Sequence, residues 1–204
     1  MELQHPFHAI TTSVDGDVLR VLAGADSAFA ISTLVHLMRG RSVQGVRNSL
    51  ERLAEQGIVL IDETTRTRTY RLNRAHLLAD AIMNIADVRT RFLAKLRERL
   101  AAASRLFEYA ALYGSAARGD MRPDSDIDIL LVRSPTADLT QVDAFAADLE
   151  RDVASWTGNL ASLLVVAAAD VGPHEPVFAS IRDEGIAIGA APDWLSTKLQ
   201  GARR

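Results

Sequence analysis

The sequence has no cysteine among its 204 residues, which excludes a disulfide framework and a thiolate metal site. It also lacks a long apolar run. Its longest uncharged stretch, residues 153–169, is too short and too polar for the roughly 20 apolar residues of a membrane helix. The start shows no charged segment followed by an apolar core, so we expect no signal peptide, no membrane contact and a cytoplasmic location. With 48% hydrophobic and 24% charged residues, the chain has room for one large or two small globular domains.

The net charge of −3 conceals an asymmetry along the chain. Arginines crowd an early segment, at Arg39, Arg41, Arg47, Arg52, Arg66, Arg68, Arg71 and Arg74. Acidic residues crowd a later one, at Asp120, Asp124, Asp126, Asp128, Asp138, Asp143, Asp148, Glu150 and Asp152. This distribution indicates two modules with different partners.

The most informative stretch joins two apolar runs through a polar turn. The first run ends at Gly114-Ser115, and the second carries Asp126 and Asp128. Side chains two positions apart on a strand share a face, so the two carboxylates should project side by side. Adjacent carboxylates repel each other and are costly to desolvate, and a divalent cation between them would relieve both effects. The simpler alternative is a strand–turn–strand whose acidic residues face solvent.

The glycine–serine pair is predicted to lead into a helix that opens at Ala116. Backbone N–H groups at such a start can hold a phosphate, and Gly114 has no Cβ to obstruct close approach. Hard oxygen ligands such as the two carboxylates suit Mg²⁺. Together these parts describe a site for a metal-bound nucleoside triphosphate.

The pattern Gly-Ser, then Arg-Gly, then Asp-Ser-Asp-Ile-Asp resembles the signature of the polymerase-beta-type nucleotidyltransferases, above all their small "minimal" bacterial and archaeal members. The motif covers residues 114–128, and the implied domain covers about residues 89–191. The resemblance implies a small mixed sheet backed by helices. It also implies Asp126 and Asp128 as catalytic residues and ligands of Mg²⁺ or Mn²⁺, and transfer of a nucleoside monophosphate from a triphosphate to a hydroxyl acceptor.

The same resemblance assigns the nucleotide-binding residues Gly114, Ser115, Arg118 and Ser125. Ser115 Oγ and nearby backbone N–H groups would hold the terminal phosphates. Arg118, one helical turn later, is placed either to reach phosphate or to pair with Asp120 or Asp124. Asp124 and Ser125 are expected to form the turn that aims the acidic strand.

One departure from the family pattern concerns a third carboxylate, usually carried by the next central strand. The position that aligns with it holds Ser162, or Ala161 if the register shifts, and neither can replace an anionic ligand. Asp170 is about 26 Å further along a regular strand. Loss of this carboxylate should weaken catalysis much more than nucleotide binding.

The first 74 residues predict three helices followed by a hairpin. The helices are expected at Val14–Leu22, from an N-cap at Ser32 to Met38, and from an N-cap at Ser42 to Gln56, and the strands at Ile58–Ile61 and Thr67–Leu72. This order resembles the winged helix-turn-helix of bacterial repressors. The resemblance implies that Ser42, Gln44, Arg47 and Asn48 lie at the major groove of double-stranded DNA, with Arg66 and Arg68 of the hairpin against phosphates or the minor groove. Alternatively, the arginines form a solvated face and the module docks onto protein.

Residues 75–105 carry apolar side chains at three- and four-residue steps without proline or glycine. They predict one long linking helix, or two with a break near Asn84–Asp87. This helix either packs on the neighbouring modules or forms a homodimer.

The last module, residues 106–204, predicts an alternating α/β (α+β) order. Its strands are expected at Leu106–Tyr113, Ile127–Val132, Leu160–Ala168 and Gly185–Ile188, and its helices at Leu139–Trp156 and Val177–Glu184.

Three functions fit these patterns. The chain is a nucleotidyltransferase that its winged helix recruits to DNA, a transcriptional regulator with a degenerate nucleotide-sensing or scaffolding domain, or a toxin–antitoxin component. The five histidines show no spacing typical of a metal site, and His5 and His8 are expected to be exposed.

Overall fold

The computed structural model describes residues 1–63, 67–189 and 191–201. Two compact units emerge, one of Glu2 and Gln4–Arg89 and the other of Met1, Leu3 and Thr90–Arg204. Their boundary falls inside the segment 75–105. In the described ranges, no helix has the combination of length and apolarity that crossing a membrane requires.

The first unit is mixed α/β and follows the helix–helix–helix–hairpin order predicted from the sequence. Its elements are α1 (Val14–Ala23), β1 (Phe29–Ala30), α2 (Ile31–Leu37), α3 (Val43–Glu55), β2 (Val59–Glu63), β3 (Arg68–Leu72) and α4 (Ala79–Ala86). The strands form an antiparallel sheet in the order β1–β3–β2. Arg66 lies outside the described residues. The assignment as a winged helix remains a prediction.

Apolar side chains at helical spacing build the core of this unit. Val46, Leu50 and Leu53 line one side of α3 and are at most 4% exposed. They pack with Val18 of α1 and Tyr70 of β3 in one hydrophobic cluster. Each helix therefore buries the stripe that its sequence periodicity predicts.

The helix starts follow the predicted capping in one case and depart from it in another. Ser42 caps α3 as predicted, because its hydroxyl accepts a hydrogen bond from the Gly45 N–H. The prediction of Ser32 as the cap of α2 is wrong. The helix begins at Ile31, immediately after the strand pairing of Ala30 with Thr69 ends.

The prediction of exposed histidines at the start is also wrong for His5 and His8. Both are partly buried, and only 28% of the His8 side chain is exposed. A short 3₁₀ turn, Pro6–Ala9, packs Phe7 into the core and carries the histidines toward α1.

The second unit is a mixed α/β layer structure, as predicted for a nucleotidyltransferase fold. Its elements are α5 (Val88–Ala101), β4 (Phe107–Tyr113), α6 (Gly114–Arg118), β5 (Ile127–Arg133), α7 (Leu139–Thr157), β6 (Ala161–Ala167), α8 (Pro176–Glu184), β7 (Ile186–Ala187) and α9 (Trp194–Gly201). The segment 75–105 thus forms two helices that break at Asp87, as in the second alternative. The α5 helix packs on α7, where Phe92 meets the edge of Trp156 and Arg99 pairs with Asp152.

The strands of this unit form one mixed sheet in the order β6–β5–β4–β7. The central pair β4–β5 is antiparallel, and β5–β6 is parallel. Central Ile129, Leu130 and Leu131 are fully buried, as expected for a strand covered on both faces. The sheet brings the end of β4 and the beginnings of β5 and β6 to one edge.

Candidate functional site

The acid pair lies at the start of β5. Asp128 is the second residue of that strand and is half-buried, whereas Asp126 immediately precedes the strand and is exposed. Between and after them, Ile127 and Ile129 are fully buried. Strand alternation therefore turns the two carboxylates away from the core together.

The electrostatics of Asp128 reflect this crowding. Burial raises the pKa of the Asp128 carboxyl, and the nearby charge of Asp126 raises it further. The positive charge of Arg118 and a hydrogen bond from Ser162 lower it, without outweighing the other two effects. Binding of a proton or of a cation therefore stabilises the Asp128 carboxylate.

Strand pairing places the predicted residues at one sheet edge. Tyr113, the last residue of β4, pairs with Asp128 across the antiparallel ladder. Ser162, near the start of β6, pairs with the same aspartate across the parallel ladder. The glycine–serine bend that follows β4, the acid pair at the start of β5 and Ser162 of β6 therefore lie at the same end of three adjacent strands.

Gly114 is the residue that allows the bend to approach the acid. Its φ of +65° lies in the left-handed region that favours glycine. A Cβ at this position would overlap Asp128 Oδ2 and lie only 3.1 Å from its Cγ. The close approach thus depends on the absence of a side chain.

The helix after this bend is α6, which begins at Gly114 rather than at the predicted Ala116. It has five residues and ends at Gly119, whose φ is +78°. Ser115 in its first turn is partly buried, and its carbonyl accepts hydrogen bonds from the N–H groups of Gly119 and Asp120. Ser115 directly follows Gly114, the residue whose backbone approaches Asp128.

Arg118 is fully exposed and is engaged by two carboxylates. Its Nε donates to Asp120 at 3.2 Å, and its Nη1 donates to Glu184 at 3.4 Å. The ion pair with Asp120 was one of the predicted alternatives, whereas Glu184 of α8 was not foreseen. Because these ion pairs are exposed to solvent, breaking them costs little free energy. Arg118 can therefore exchange the two carboxylates for a phosphate.

Ser125 serves the turn that leads into the acidic strand. Its Oγ accepts from the Arg122 N–H at 2.9 Å, and its own N–H donates to the Arg122 carbonyl. This closed turn supports the predicted role of residues 123–125 in aiming the strand.

Asn159 is a positioning residue that the sequence analysis missed. It is 4% exposed, and its amide nitrogen donates to the carbonyls of Pro123 and Ser125 at 3.2 and 2.9 Å. It therefore ties the turn before Asp126 to the start of β6. The available signal was a Gly-Asn pair between a helix and an apolar strand, where a polar side chain must find partners.

The position expected to hold a third carboxylate holds Ser162. Its hydroxyl donates to Asp128 and carries no charge. Asp170 follows the opposite end of β6 and is exposed. Thus the sheet edge combines two carboxylates and one hydroxyl.

The comparisons with known proteins bear on this unit. Residues 95–166 match the family model described as Polymerase beta, Nucleotidyltransferase. The chain therefore contains a nucleotidyltransferase-like domain. The match includes the bend, the acid pair and Ser162, and it confirms the resemblance noted in the sequence over these residues.

Two solved structures are similar to part of the chain. One, described as the crystal structure of a toxin-antitoxin with AMP-PNP, is 16% identical over 54% of this chain and 83% of that chain, with a TM-score of 0.40. The other, a mutant of the toxin-antitoxin MntA-HpeT, is 14% identical over the same shares, with a TM-score of 0.39. No curated protein matches the chain.

Outside the nucleotidyltransferase domain, the start of α3 presents the residues predicted to meet DNA. Ser42 and Arg47 are exposed, as are Gln44 and Asn48, whose side chains hydrogen-bond to each other at 2.6 Å. Ser42 is engaged in capping. In the described residues, Arg47 has no ion-pair partner, so its charge is available to a ligand.

Most of the other early arginines have carboxylate partners, which the sequence did not reveal. Arg68 lies 2.9 Å from Glu63 and also stands over the Tyr70 ring. Four more are paired: Arg41 with Asp17, Arg52 with Asp15, Arg71 with Asp62 and Arg74 with Asp26. These pairs neutralise much of the basic segment and concentrate its unpaired charge near the start of α3.

The raised pKa of Asp128 makes a prediction about stability. In the folded protein this carboxyl binds its proton more tightly than in the unfolded chain, where the pKa is near 3.8. Stability is therefore lost as pH rises from 3.8 through the raised pKa. We expect Asp128→Asn to raise the free energy of unfolding at neutral pH in the presence of a chelator.

Urea unfolding of the wild type and Asp128→Asn checks this expectation. The stabilising effect of the substitution should be larger at neutral pH than below pH 3.8. An equal effect at both pH values would show that the ionised carboxylate is not the source of the destabilisation.

Proposed function

We propose that the nucleotidyltransferase domain binds a nucleoside triphosphate with Mg²⁺ or Mn²⁺ and transfers its nucleoside monophosphate to a hydroxyl acceptor. The observation that carries this proposal is the close approach of the Gly114 backbone to Asp128, with Asp126 beside it. Two crowded carboxylates and a side-chain-free bend fit a divalent metal and a phosphate tail.

The residues of the sheet edge would divide the work. Asp126 and Asp128 would hold the metal, which when bound supplies positive charge against the charge that develops on the oxygens at phosphorus. Ser115 Oγ would hold the terminal phosphates. Arg118 would exchange Asp120 and Glu184 for phosphate oxygens. The turn at Ser125, held by Asn159, would keep Asp126 in line with the bend.

The direct experiment uses triphosphates labelled at the α-phosphate. The purified protein is incubated with labelled ATP, CTP, GTP or UTP, with Mg²⁺ or Mn²⁺, and with RNA and protein acceptors. We expect label in an acceptor that disappears when the metal is chelated. Metal-dependent binding of a triphosphate without label in any acceptor would exclude transfer.

A second candidate function is a nucleotide-binding regulator with little or no catalysis, and Ser162 favours it. A neutral hydroxyl stands beside Asp128 where a third carboxylate is expected. Under this alternative, the domain binds metal and nucleotide as a signal or serves as a scaffold.

Substituting Ser162 tests which candidate holds. We expect Ser162→Asp to raise the rate of label transfer at least about tenfold, because the added carboxylate would bind the metal directly. Loss of a residue that only hydrogen-bonds to a metal ligand already lowers activity roughly 10–100-fold. Single-turnover label transfer gives the rate. Ser162→Asn, of similar size but uncharged, is the matched control. An unchanged rate in Ser162→Asp would mean that the missing carboxylate at this position does not limit transfer.

For the first unit, we propose a winged helix-turn-helix that binds double-stranded DNA through the start of α3. The support is the exposed set Gln44, Arg47 and Asn48 on one end of the helix. Arg39, in the turn before α3, is also exposed and unpaired among the described residues. Arg68, already paired with Glu63, would add less than the sequence suggests.

A gel-shift or anisotropy titration with the DNA upstream of the coding sequence tests the DNA proposal. Arg47→Ala should weaken specific binding by about 1–3 kcal/mol and relax sequence preference. Arg71→Ala, which removes an arginine already paired with Asp62, is the matched control. Binding that is absent, or indifferent to salt, would exclude the DNA role.

Homodimerisation through residues 75–105 and membership of a toxin–antitoxin pair remain predictions.

A further inference from the structure

A second cluster of potential metal ligands lies in the first unit, apart from the acid pair. His5 immediately precedes the 3₁₀ turn Pro6–Ala9, His8 lies within that turn, and Asp17 belongs to α1. One ligand atom from each of the three lies within 4.8 Å of the others. Asp17 is 5% exposed, so this is not a loose group of surface acids.

The contacts of His8 are unusual for a histidine without a cation. Its Nδ1 lies 2.8 Å from Glu2 Oε2, and its Nε2 lies 3.1 Å from Asp17 Oδ1. A neutral imidazole has one donor and one acceptor nitrogen. With a carboxylate beside each ring nitrogen, the acceptor nitrogen of a neutral His8 would face a carboxylate oxygen that is also an acceptor. A second proton on the ring, or a cation shared with Asp17, removes this conflict.

Two of the three ligands, His8 and Asp17, are also held by a second partner. Glu2 accepts from His8 Nδ1, which directs the lone pair of the ring to Nε2. Arg41 Nε donates to Asp17 Oδ2 at 2.7 Å, which leaves Oδ1 toward His8. Histidines that bind metals almost always donate their other ring N–H to such a partner.

His5 supplies the third ligand, a second imidazole nitrogen. Its ring stacks on that of His8, with 4.9 Å between the centroids and 10° between the planes. Its Nδ1 is buried and has no hydrogen-bond partner in the described part of the chain. A buried polar nitrogen without a partner is costly, and a metal bond would satisfy it.

The distances suit a small tetrahedral ion. Ligands bound at 2.0–2.1 Å with tetrahedral angles stand about 3.3 Å apart. His8 Nε2 and Asp17 Oδ1 are already 3.1 Å apart, and the third atom needs to move by no more than about 1.5 Å.

We propose that His5, His8 and Asp17 bind one first-row transition-metal ion, with Zn²⁺ as the best fit. Two imidazoles and one carboxylate favour Zn²⁺ over Mg²⁺, which prefers all-oxygen sites. The three residues line a cavity of about 410 Å³ that also includes Arg20, Arg39 and Arg41. The fourth ligand therefore has room, and the arginines suit a small anion in that place. The ion would fasten the N-terminal turn to α1.

The experiment titrates the full chain, free of any histidine tag, with Zn²⁺ against a chromophoric chelator. One tight site is expected that persists in Asp126→Asn/Asp128→Asn, because that pair belongs to the other unit. His5→Gln and His8→Gln should each weaken Zn²⁺ binding more than about 100-fold, and Glu2→Gln about 10-fold, because Glu2 acts only through its hydrogen bond to His8. His36→Gln, an exposed histidine on α2, is the matched control and should bind as the wild type does.

Two further readouts keep the test decisive. Co²⁺ in place of Zn²⁺ should give the visible absorption of a tetrahedral site, and Zn²⁺ should raise the Tm of the wild type but not of His5→Gln. His5→Gln removes a nitrogen without a described partner, so it should fold even if His8→Gln does not. Absence of tight Zn²⁺ binding, or binding that His5→Gln leaves intact, would overturn the proposal. A Tm raised by inorganic phosphate but not by Zn²⁺ would instead identify the cavity as an anion site.

Discussion

Asp126→Asn/Asp128→Asn should reduce nucleotidyl transfer more than about 100-fold, because even outer-shell partners of metal ligands are worth 10–100-fold. The variant keeps the shape of both side chains and removes both charges that would hold a divalent metal. Nucleotide binding should lose its dependence on Mg²⁺ at the same time. The substitution also removes the partly buried charge and its repulsion with Asp126, which together raise the pKa of Asp128, so the fold should become more stable as activity disappears.

Label transfer and Mn²⁺ titration of the same preparation measure the two effects. Asp143→Asn, which neutralises an exposed carboxylate on α7, is the matched control and should retain full activity. Residual transfer near the wild-type level in the double variant would place the catalytic metal elsewhere and remove the basis of the proposed function.

Gly114→Ala is the second change with a large expected effect. The left-handed φ of +65° costs a residue with a Cβ about 1–2 kcal/mol. The added methyl group would also overlap Asp128 Oδ2. The bend must then withdraw from the strand or the carboxylate must rotate away. Either movement separates the parts that would bind metal and phosphate, so both nucleotide affinity and transfer should fall at least tenfold, in line with losses on disturbing metal-site partners.

Gly172→Ala provides the matched control, since a Cβ there meets nothing within 4 Å and its φ is not left-handed. Isothermal titration with a non-hydrolysable triphosphate and Mg²⁺ gives the affinity, and thermal unfolding gives the stability. A Gly114→Ala protein that binds nucleotide as the wild type does would show that the bend tolerates a side chain and that the close approach has no role in the site.

The strands and helices of both units were largely predictable because their apolar side chains follow strand and helix periods. The sequence also predicted that Asp126 and Asp128 share a side, since local alternation alone decides it. Their charge interaction agrees with this. The sequence predicted a small mixed sheet but not the order of its strands, because tertiary packing rather than local sequence decides which strands pair.

Features that join distant segments were not predictable from spacing. His8 and Asp17 meet because the N-terminal turn folds against α1. Asn159 reaches the turn before Asp126 across 34 positions or more. The pairing of Arg68 with Glu63 depends on the hairpin, where a charge run in the sequence suggests a free cationic face.

Gly114, which immediately follows β4, and Asp128 of the antiparallel neighbour β5 stand only fourteen positions apart. Closing so short a loop costs little entropy, so this contact can form as soon as the two strands meet. The bend and the acid pair thus belong to one contiguous segment, residues 114–128. Amide exchange should find the β4–β5 ladder among the last parts of the second unit to open.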